Sequence, residues 1–388
     1  MYKVSIEDVI PGMILDQDIY GEAHNKKNPL LCEGMEITAS FLYMLKKRGV
    51  AFLHTSKPLK LEKDKSPYDM ITKANPLAGL KLSMPKSKSI VSPKTKKQAL
   101  KAVKDFQISI SGLDADDVYE VMHILDNVLN HVLADFPKNL TEPINVHQLR
   151  GDDSFSYVYR HAISVAVISM AIGQYLSLPP ADVRYLGKCA SLHDIGMFLI
   201  PSKLTQLTPK SAPLKRDELE KIRRHTQLGY RQLVKMGITD EPILNCILHH
   251  HERLDGTGYP LGLRGEEISL WSRIIAIADV YDAMTSNRPY RPALPPSEAC
   301  EFIMANANAL FEYDIVAALL RRIEFYPVGI CVKLSTGEHA VVIDNTKSRL
   351  RPVIRIISTD IERDLNDRRY FDITILKAIS YQDIIEKR

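Results

Sequence analysis

The sequence predicts a mainly α, multidomain protein: a helical central domain, a small α+β module before it and a small β domain after it. Three observations predict this. From Asp114 to about Phe325, apolar residues recur at helical spacing. After Tyr326 the pattern changes to alternation with a period of two. At 388 residues the chain is also too long for one ordinary hydrophobic core.

Residues 1–56 supply the α+β module. Met13 to Tyr20 and Leu30 to Cys32 read as strands joined by a polar turn. Thr38 suits the N-cap of a helix carrying Phe41, Leu42 and Leu45, which ends at Gly49. Val50 to His54 reads as a closing strand. Residues 57–111 are rich in lysine, proline and serine with little apolar periodicity, as expected of a flexible basic linker. Tyr68 is the only aromatic residue among the lysines from Lys57 to Lys104, so nucleic-acid binding is not expected.

Composition narrows the class. The chain is 45% hydrophobic and 25% charged, with a net charge of +4, so bulk charge does not point to nucleic acid. Cys32, Cys189, Cys246, Cys300 and Cys331 are scattered and contain no CxxC pair. This predicts reduced thiols in a cytoplasmic protein and argues against a zinc–thiolate site. Met1 to Asp8 lacks the apolar core of a signal peptide, and the apolar run Ala162 to Leu176 is too short to span a bilayer.

The helical region opens with an apolar face formed by Val118, Val121, Met122, Leu125, Val128, Leu129 and Val132. His123 and His131 lie on this helix without a ligand-spaced partner and read as ordinary helix residues. The next segments carry chemistry. His161 sits at the start of an apolar helix. Leu186, Ala190 and His193 follow i, i+4, i+7, so His193 faces inward with Asp194 beside it. A carboxylate there needs a partner, because burying an unpaired charge is costly. Leu219, Ile222 and His225 also place an imidazole inward. Asp279 stands in the almost continuously apolar run Arg273 to Met284. Finally, His249-His250-His251 is a poor helix-forming run that gains no packing over Leu or Ile. It leads into Gly256, Gly258 and Pro260, a turn that lets backbone approach a ligand closely. Inward imidazoles and carboxylates in this pattern suggest a metal site.

His161, His193-Asp194 and Asp279 together resemble the HD superfamily of metal-dependent phosphohydrolases. With His225, with His250-His251-Glu252-Arg253-Leu254-Asp255-Gly256-x-Gly258-Tyr259-Pro260 and with Arg288-Pro289-Tyr290-Arg291, the resemblance narrows to the HD-GYP subfamily, over roughly residues 112–325. It implies an all-helical domain that hydrolyses cyclic di-GMP to the linear dinucleotide, GMP or both, using a hydroxide bridged by two iron or manganese ions. The implied metal ligands are His161, His193, Asp194, His225, His250, His251 and Asp279, with Asp194 bridging. His193, Asp194 and Asp282 take the catalytic positions. Arg288 and Arg291 match the phosphate-binding arginines, and Gly258 and Tyr259 shape the substrate wall.

The sequence departs from the family pattern in four places. Met197 replaces a phosphate-binding lysine. Tyr157 stands where some members carry a glutamate for a third metal. The loop from Ile200 to Lys215 is unusual, and Thr226 replaces a proline. These departures leave two alternatives: hydrolysis of another cyclic dinucleotide, or a catalytically weak cyclic di-GMP sensor. The resemblance leaves room for signalling protein partners and for a homodimer. After Pro295 and Pro296 a last helical region runs to Phe325. Ile330 to Leu334, Ala340 to Ile343, Val353 to Ile357 and Ile373 to Leu376 then read as strands of a β domain over residues 326–388.

Overall fold

The computed structural model describes residues 2–5, 52–55, 92, 94, 95, 97, 98, 100, 101, 123, 126, 127, 129–136, 144, 157–201, 204, 215–286 and 293–379. The expected strands at Met13 to Tyr20 and Leu30 to Cys32, and the helix after Thr38, lie outside these residues. The described residues fall into two units. One holds the strands β1 (Tyr2–Ser5) and β2 (Phe52–Thr55) together with residues Glu298–Ala305; the other holds the rest. β1 and β2 pair antiparallel, with Tyr2 opposite Thr55 and Ser5 opposite Phe52. The closing strand is therefore present, one to two residues later than expected, and its partner β1 was not expected as a strand.

Within the expected linker, the described residues from Lys94 to Lys101 are helical, and Thr95 and Leu100 are buried. Ser92 starts this helix: its Oγ accepts the Thr95 N–H at 3.1 Å, and its own N–H donates to Asp135 at 2.9 Å. These few described residues are helical within the stretch expected as a linker. Farther along, His123 and His131 are exposed and bond Asn127 within their own helix, as ordinary helix residues do.

The centre of the helical part is α1 (Tyr157–Tyr175). Every residue from His161 to Ile172 is buried. A helix apolar on all sides must sit inside a core, and α1 packs against α2 (Pro180–Leu192), α6 (Leu270–Thr285) and α8 (Tyr313–Arg322). A proline in the first turn of α2 uses a position whose N–H needs no helical partner. A short 3-10 turn, Ile195–Leu199, then leads away from α2. α3 (Arg216–Arg223) is exposed and strongly charged, and α4 (His225–Lys235) follows it after one residue. α5 (Glu241–His249) is capped by Asp240, whose carboxylate accepts the Ile243 N–H. Ser269 caps α6 in the same way through the Ser272 N–H. α7 spans Pro296–Ala305. Among the described residues, no helix is long and apolar enough to cross a membrane. Among the described residues, Cys189, Cys246, Cys300 and Cys331 are buried and in no disulfide.

The C-terminal part is a five-stranded antiparallel sheet in the order β6-β5-β4-β3-β7. Its strands are β3 (Cys331–Leu334), β4 (His339–Asp344), β5 (Val353–Ile356), β6 (Glu362–Asp364) and β7 (Ile375–Ile379). Val332 faces Ala340 and Ala378, while Ile354 faces Val342, so alternate residues share a buried face. β6 was not expected, because its Glu-Arg-Asp sequence carries no apolar alternation. As an edge strand it does not need one.

Candidate metal centre

The functional side chains come from five places in the helical part. His161 lies in the second turn of α1. His193 and Asp194 follow the end of α2. His225 opens α4, His250 and His251 follow α5, and Asp279 and Asp282 lie on the inner face of α6. Burial is nearly complete: His193 and His250 have no exposed surface, and His161, His225 and Asp279 are 3%, 2% and 6% exposed.

The hydrogen bonds fix how these imidazoles point. The Nδ1 atoms of His193, His225 and His250 lie 2.7, 2.8 and 2.9 Å from the carbonyl oxygens of Ala190, Ile222 and Ile247. A carbonyl can only accept, so Nδ1 carries a proton in each ring, and in the neutral ring Nε2 keeps a lone pair. His161 Nδ1 donates to Asp282 Oδ2 at 2.7 Å, which turns its Nε2 inward toward the cluster. Asp282 is fully buried and also accepts from Ser286 Oγ at 3.2 Å.

These four Nε2 atoms converge on Asp194. His225 and His250 lie 3.2 and 3.7 Å from its Oδ1, and His161 and His193 lie 3.8 and 3.6 Å from its Oδ2. Asp279 spans the cluster as well, with Oδ1 at 3.2 Å from His161 Nε2 and Oδ2 at 3.7 Å from His251 Nδ1. The donors form two groups sharing Asp194: Asp194, His225, His250 and His251, and His161, His193 and Asp194.

This donor set fits divalent cations. His193 Nε2 is buried without a hydrogen-bond partner. The Nε2 atoms of His225 and His250 face each other at 3.2 Å, lone pair against lone pair when both rings are neutral. Each arrangement costs free energy unless a cation lies between the donors. The nitrogen and oxygen ligands suit iron, manganese or zinc. Asp282 on the far side of His161 is the carboxylate–histidine support common at metal sites.

The shifts follow from burial and from the two carboxylates: burial lowers the imidazoles, but Asp194 outweighs it at His225 and raises that ring above the usual imidazole range. Burial alone would raise the Asp194 carboxyl, but His193, His225 and His250 outweigh it and hold it well below the usual carboxylate range. Asp279 is likewise held low against its burial by His161 and His251. Burial pushes His193 down to about 4, so it stays neutral and able to ligate. Burial also keeps His251 well below the usual imidazole range.

Two glycines make the assembly possible. A Cβ on Gly196 would lie 1.9 Å from the His225 carbonyl oxygen, so only glycine lets the turn after Asp194 approach α4 this closely. A Cβ on Gly258 would lie 2.4 Å from Glu252 Cα. The turn is held from beneath by Glu252, which is buried. Its carboxylate accepts the N–H groups of Leu261, Gly262 and Leu263 at 2.7, 3.2 and 3.1 Å. Thus secured, Tyr259 stacks its ring on His251 with centroids 4.7 Å apart. Sequence reasoning named Glu252 only as part of a motif; the signal for its role was an acid placed just before a two-glycine turn.

The expected residues His161, His193, Asp194, His225, His250, His251, Asp279, Asp282, Gly258 and Tyr259 are therefore brought together. Arg288 and Arg291 lie outside the described residues. Met197 sits half-buried in the 3-10 turn, and its N–H donates to the Asp194 carbonyl at 2.9 Å.

A helical core that turns imidazoles and carboxylates inward in this way defines a metal-site domain. Residues 144–315 match the HD domain family. The sequence is 38% identical over 204 residues to a cyclic di-GMP phosphodiesterase of Pseudomonas aeruginosa, a match covering 52% of this chain and 48% of that protein. It is 33% identical over 176 residues to a 3'3'-cGAMP-specific phosphodiesterase of Vibrio cholerae, covering 45% of this chain and 37% of that protein. A solved HDGYP protein of Bdellovibrio bacteriovorus aligns over 82% of this chain and 97% of its own, with a TM-score of 0.48 and 15% identity. The chain thus spans about half the length of these curated relatives or less. It carries an HD domain of the HD-GYP type.

Proposed function

We propose that this protein is a metal-dependent phosphodiesterase that hydrolyses cyclic di-GMP to the linear dinucleotide, GMP or both. The observation that carries the reading is the convergence of four imidazole Nε2 atoms on the two oxygens of one carboxylate, Asp194. His161, His193, His225, His250, His251, Asp194 and Asp279 would hold two divalent ions, with Asp194 shared between them. Bound there, the ions would acidify a water and offset charge on the phosphoryl oxygens.

The chain's own residues set the conditions for that chemistry. Asp282 keeps His161 in the tautomer that presents Nε2 inward. The Ala190, Ile222 and Ile247 carbonyls do the same for His193, His225 and His250. Tyr259 fixes the ring plane of His251 and walls the site on that side. Asp194 keeps 19% of its side chain exposed, so the cluster is reachable by substrate. Arg288 and Arg291 are assigned to the substrate phosphates, which guanidinium groups grip in a bidentate manner. The catalytic domain is assigned to residues 112–325. The N-terminal module and the C-terminal sheet are assigned regulatory or interaction roles.

A second reading is hydrolysis of a cyclic GMP–AMP dinucleotide, favoured by the likeness to the Vibrio cholerae phosphodiesterase. The test is turnover by purified protein loaded with iron or manganese, offered cyclic di-GMP and 3'3'-cGAMP separately and followed by chromatography of the products. The reading predicts metal-dependent loss of cyclic di-GMP with the higher kcat/KM. Preference for cGAMP selects the second reading, and no cleavage of either overturns both.

A further inference from the structure

A cyclic dinucleotide brings two phosphodiesters, each with two non-bridging oxygens, so its site needs donors beyond the metal ligands. Position 197 cannot help, because a thioether does not donate. Arg253 is already committed: its guanidinium donates to the carbonyls of His250 and Glu252 and lies 5.5 Å from the Phe311 ring centre.

Arg223 is placed differently. It ends α3, two residues before His225, and its side chain is exposed. Its guanidinium carbon lies 5.2 Å from the centre of the Tyr259 ring. That same ring stacks on His251 and meets His225 edge-on with centroids 6.5 Å apart. One aromatic ring therefore separates Arg223 from two members of the donor cluster. A guanidinium lying over a ring keeps its edge donors available for other partners. Here Nη1 bonds Glu220 at 2.8 Å, with side chains 44% and 54% exposed. A surface pair of this kind contributes little and is readily exchanged for a better acceptor.

Resting on the function proposed above, we infer that Arg223 is a substrate-binding residue. Laid over Tyr259 at the rim of the metal cluster, its guanidinium exchanges Glu220 for the two non-bridging oxygens of a substrate phosphate. The planar fork matches that pair of oxygens, whereas a lysine ammonium would supply charge without the bidentate geometry. Tyr259 then orients a metal-site histidine and a phosphate-binding arginine with one ring.

The experiment compares wild-type protein with Arg223→Gln and Arg223→Lys, each loaded with the same metal. One measurement is calorimetric titration with a phosphorothioate analogue of cyclic di-GMP that resists cleavage; the other is steady-state kinetics with cyclic di-GMP. Arg223→Gln should weaken the Kd and raise KM by about ten- to a hundredfold, the range for a lost charge-assisted contact. It should leave kcat and metal content near wild type, and Arg223→Lys should fall between the two. The wild-type Kd should also rise more steeply with salt than that of Arg223→Gln. Unchanged affinity in Arg223→Gln, or a loss that tracks lost metal, overturns this inference alone. Wild-type protein that neither binds the analogue nor cleaves cyclic di-GMP overturns the underlying function and this inference with it.

Discussion

Glu252→Gln probes how the turn beneath the metal centre is held. In the wild type, Oε1 accepts two backbone N–H groups and Oε2 accepts a third. Glutamine keeps one oxygen, which serves Leu261 and Gly262 without a formal charge. Hydrogen bonds to a charged group contribute about 1.5–3 kcal/mol and neutral ones about 0.5–1.5, so these two bonds should weaken by about 1 kcal/mol each. The glutamine NH2 would face the Leu263 N–H, donor against donor, at a cost of about 1–3 kcal/mol for the orphaned group. The total is about 3 kcal/mol once the partial exposure of the loop is allowed for, a large share of a typical stability of about 5–15 kcal/mol. The assay is urea unfolding followed by fluorescence, with limited proteolysis as a local readout. The midpoint should fall and new cleavage should appear between Tyr259 and Arg264. Tyr259 should also loosen from His251, lowering metal affinity. A midpoint and cleavage pattern equal to wild type would refute this account of the turn.

Two further perturbations test other parts of the structure. Asp282→Asn removes the charge that holds the His161 tautomer and should lower metal affinity or activity by about ten- to a hundredfold with little change in fold, as read by metal titration and circular dichroism. Glu324 is pushed up to about 7 by burial, against the opposing effects of Arg349 and Asn345. Its folded pKa is above its unfolded value, so the stability it contributes is present below about pH 4.5 and is lost as pH rises through 7. Glu324→Gln should flatten that part of the stability-versus-pH curve, a difference on the order of 2 kcal/mol, measured by urea unfolding at several pH values. Parallel curves for variant and wild type would count against this assignment.

The site was legible where local spacing encodes burial. The Leu186, Ala190, His193 series placed an imidazole inward, and His193 is fully buried. Asp279 stood out because nothing apolar about its helix explains a carboxylate. What spacing cannot encode is pairing across the fold. His161 and Asp282 are 121 residues apart, and only the packing of α1 on α6 joins them. The same holds for Gly196, whose necessity depends on the His225 carbonyl arriving beside it, and for Arg223, which meets Tyr259 from another helix. In the sheet, β3, β4 and β5 carried their alternation openly. β6 did not, because an edge strand of Glu-Arg-Asp buries too little to leave a pattern.

The central claim is that Asp194 joins two metal-binding groups into one centre. Elemental analysis of anaerobically purified, reconstituted protein tests it most directly, with Asp194→Ala alongside and circular dichroism to show that the variant is folded. The account predicts close to two iron or manganese ions per wild-type chain and loss of both from Asp194→Ala, because each group loses its shared oxygen ligand. A wild-type chain that binds none, or a folded Asp194→Ala chain that still holds two, would contradict it.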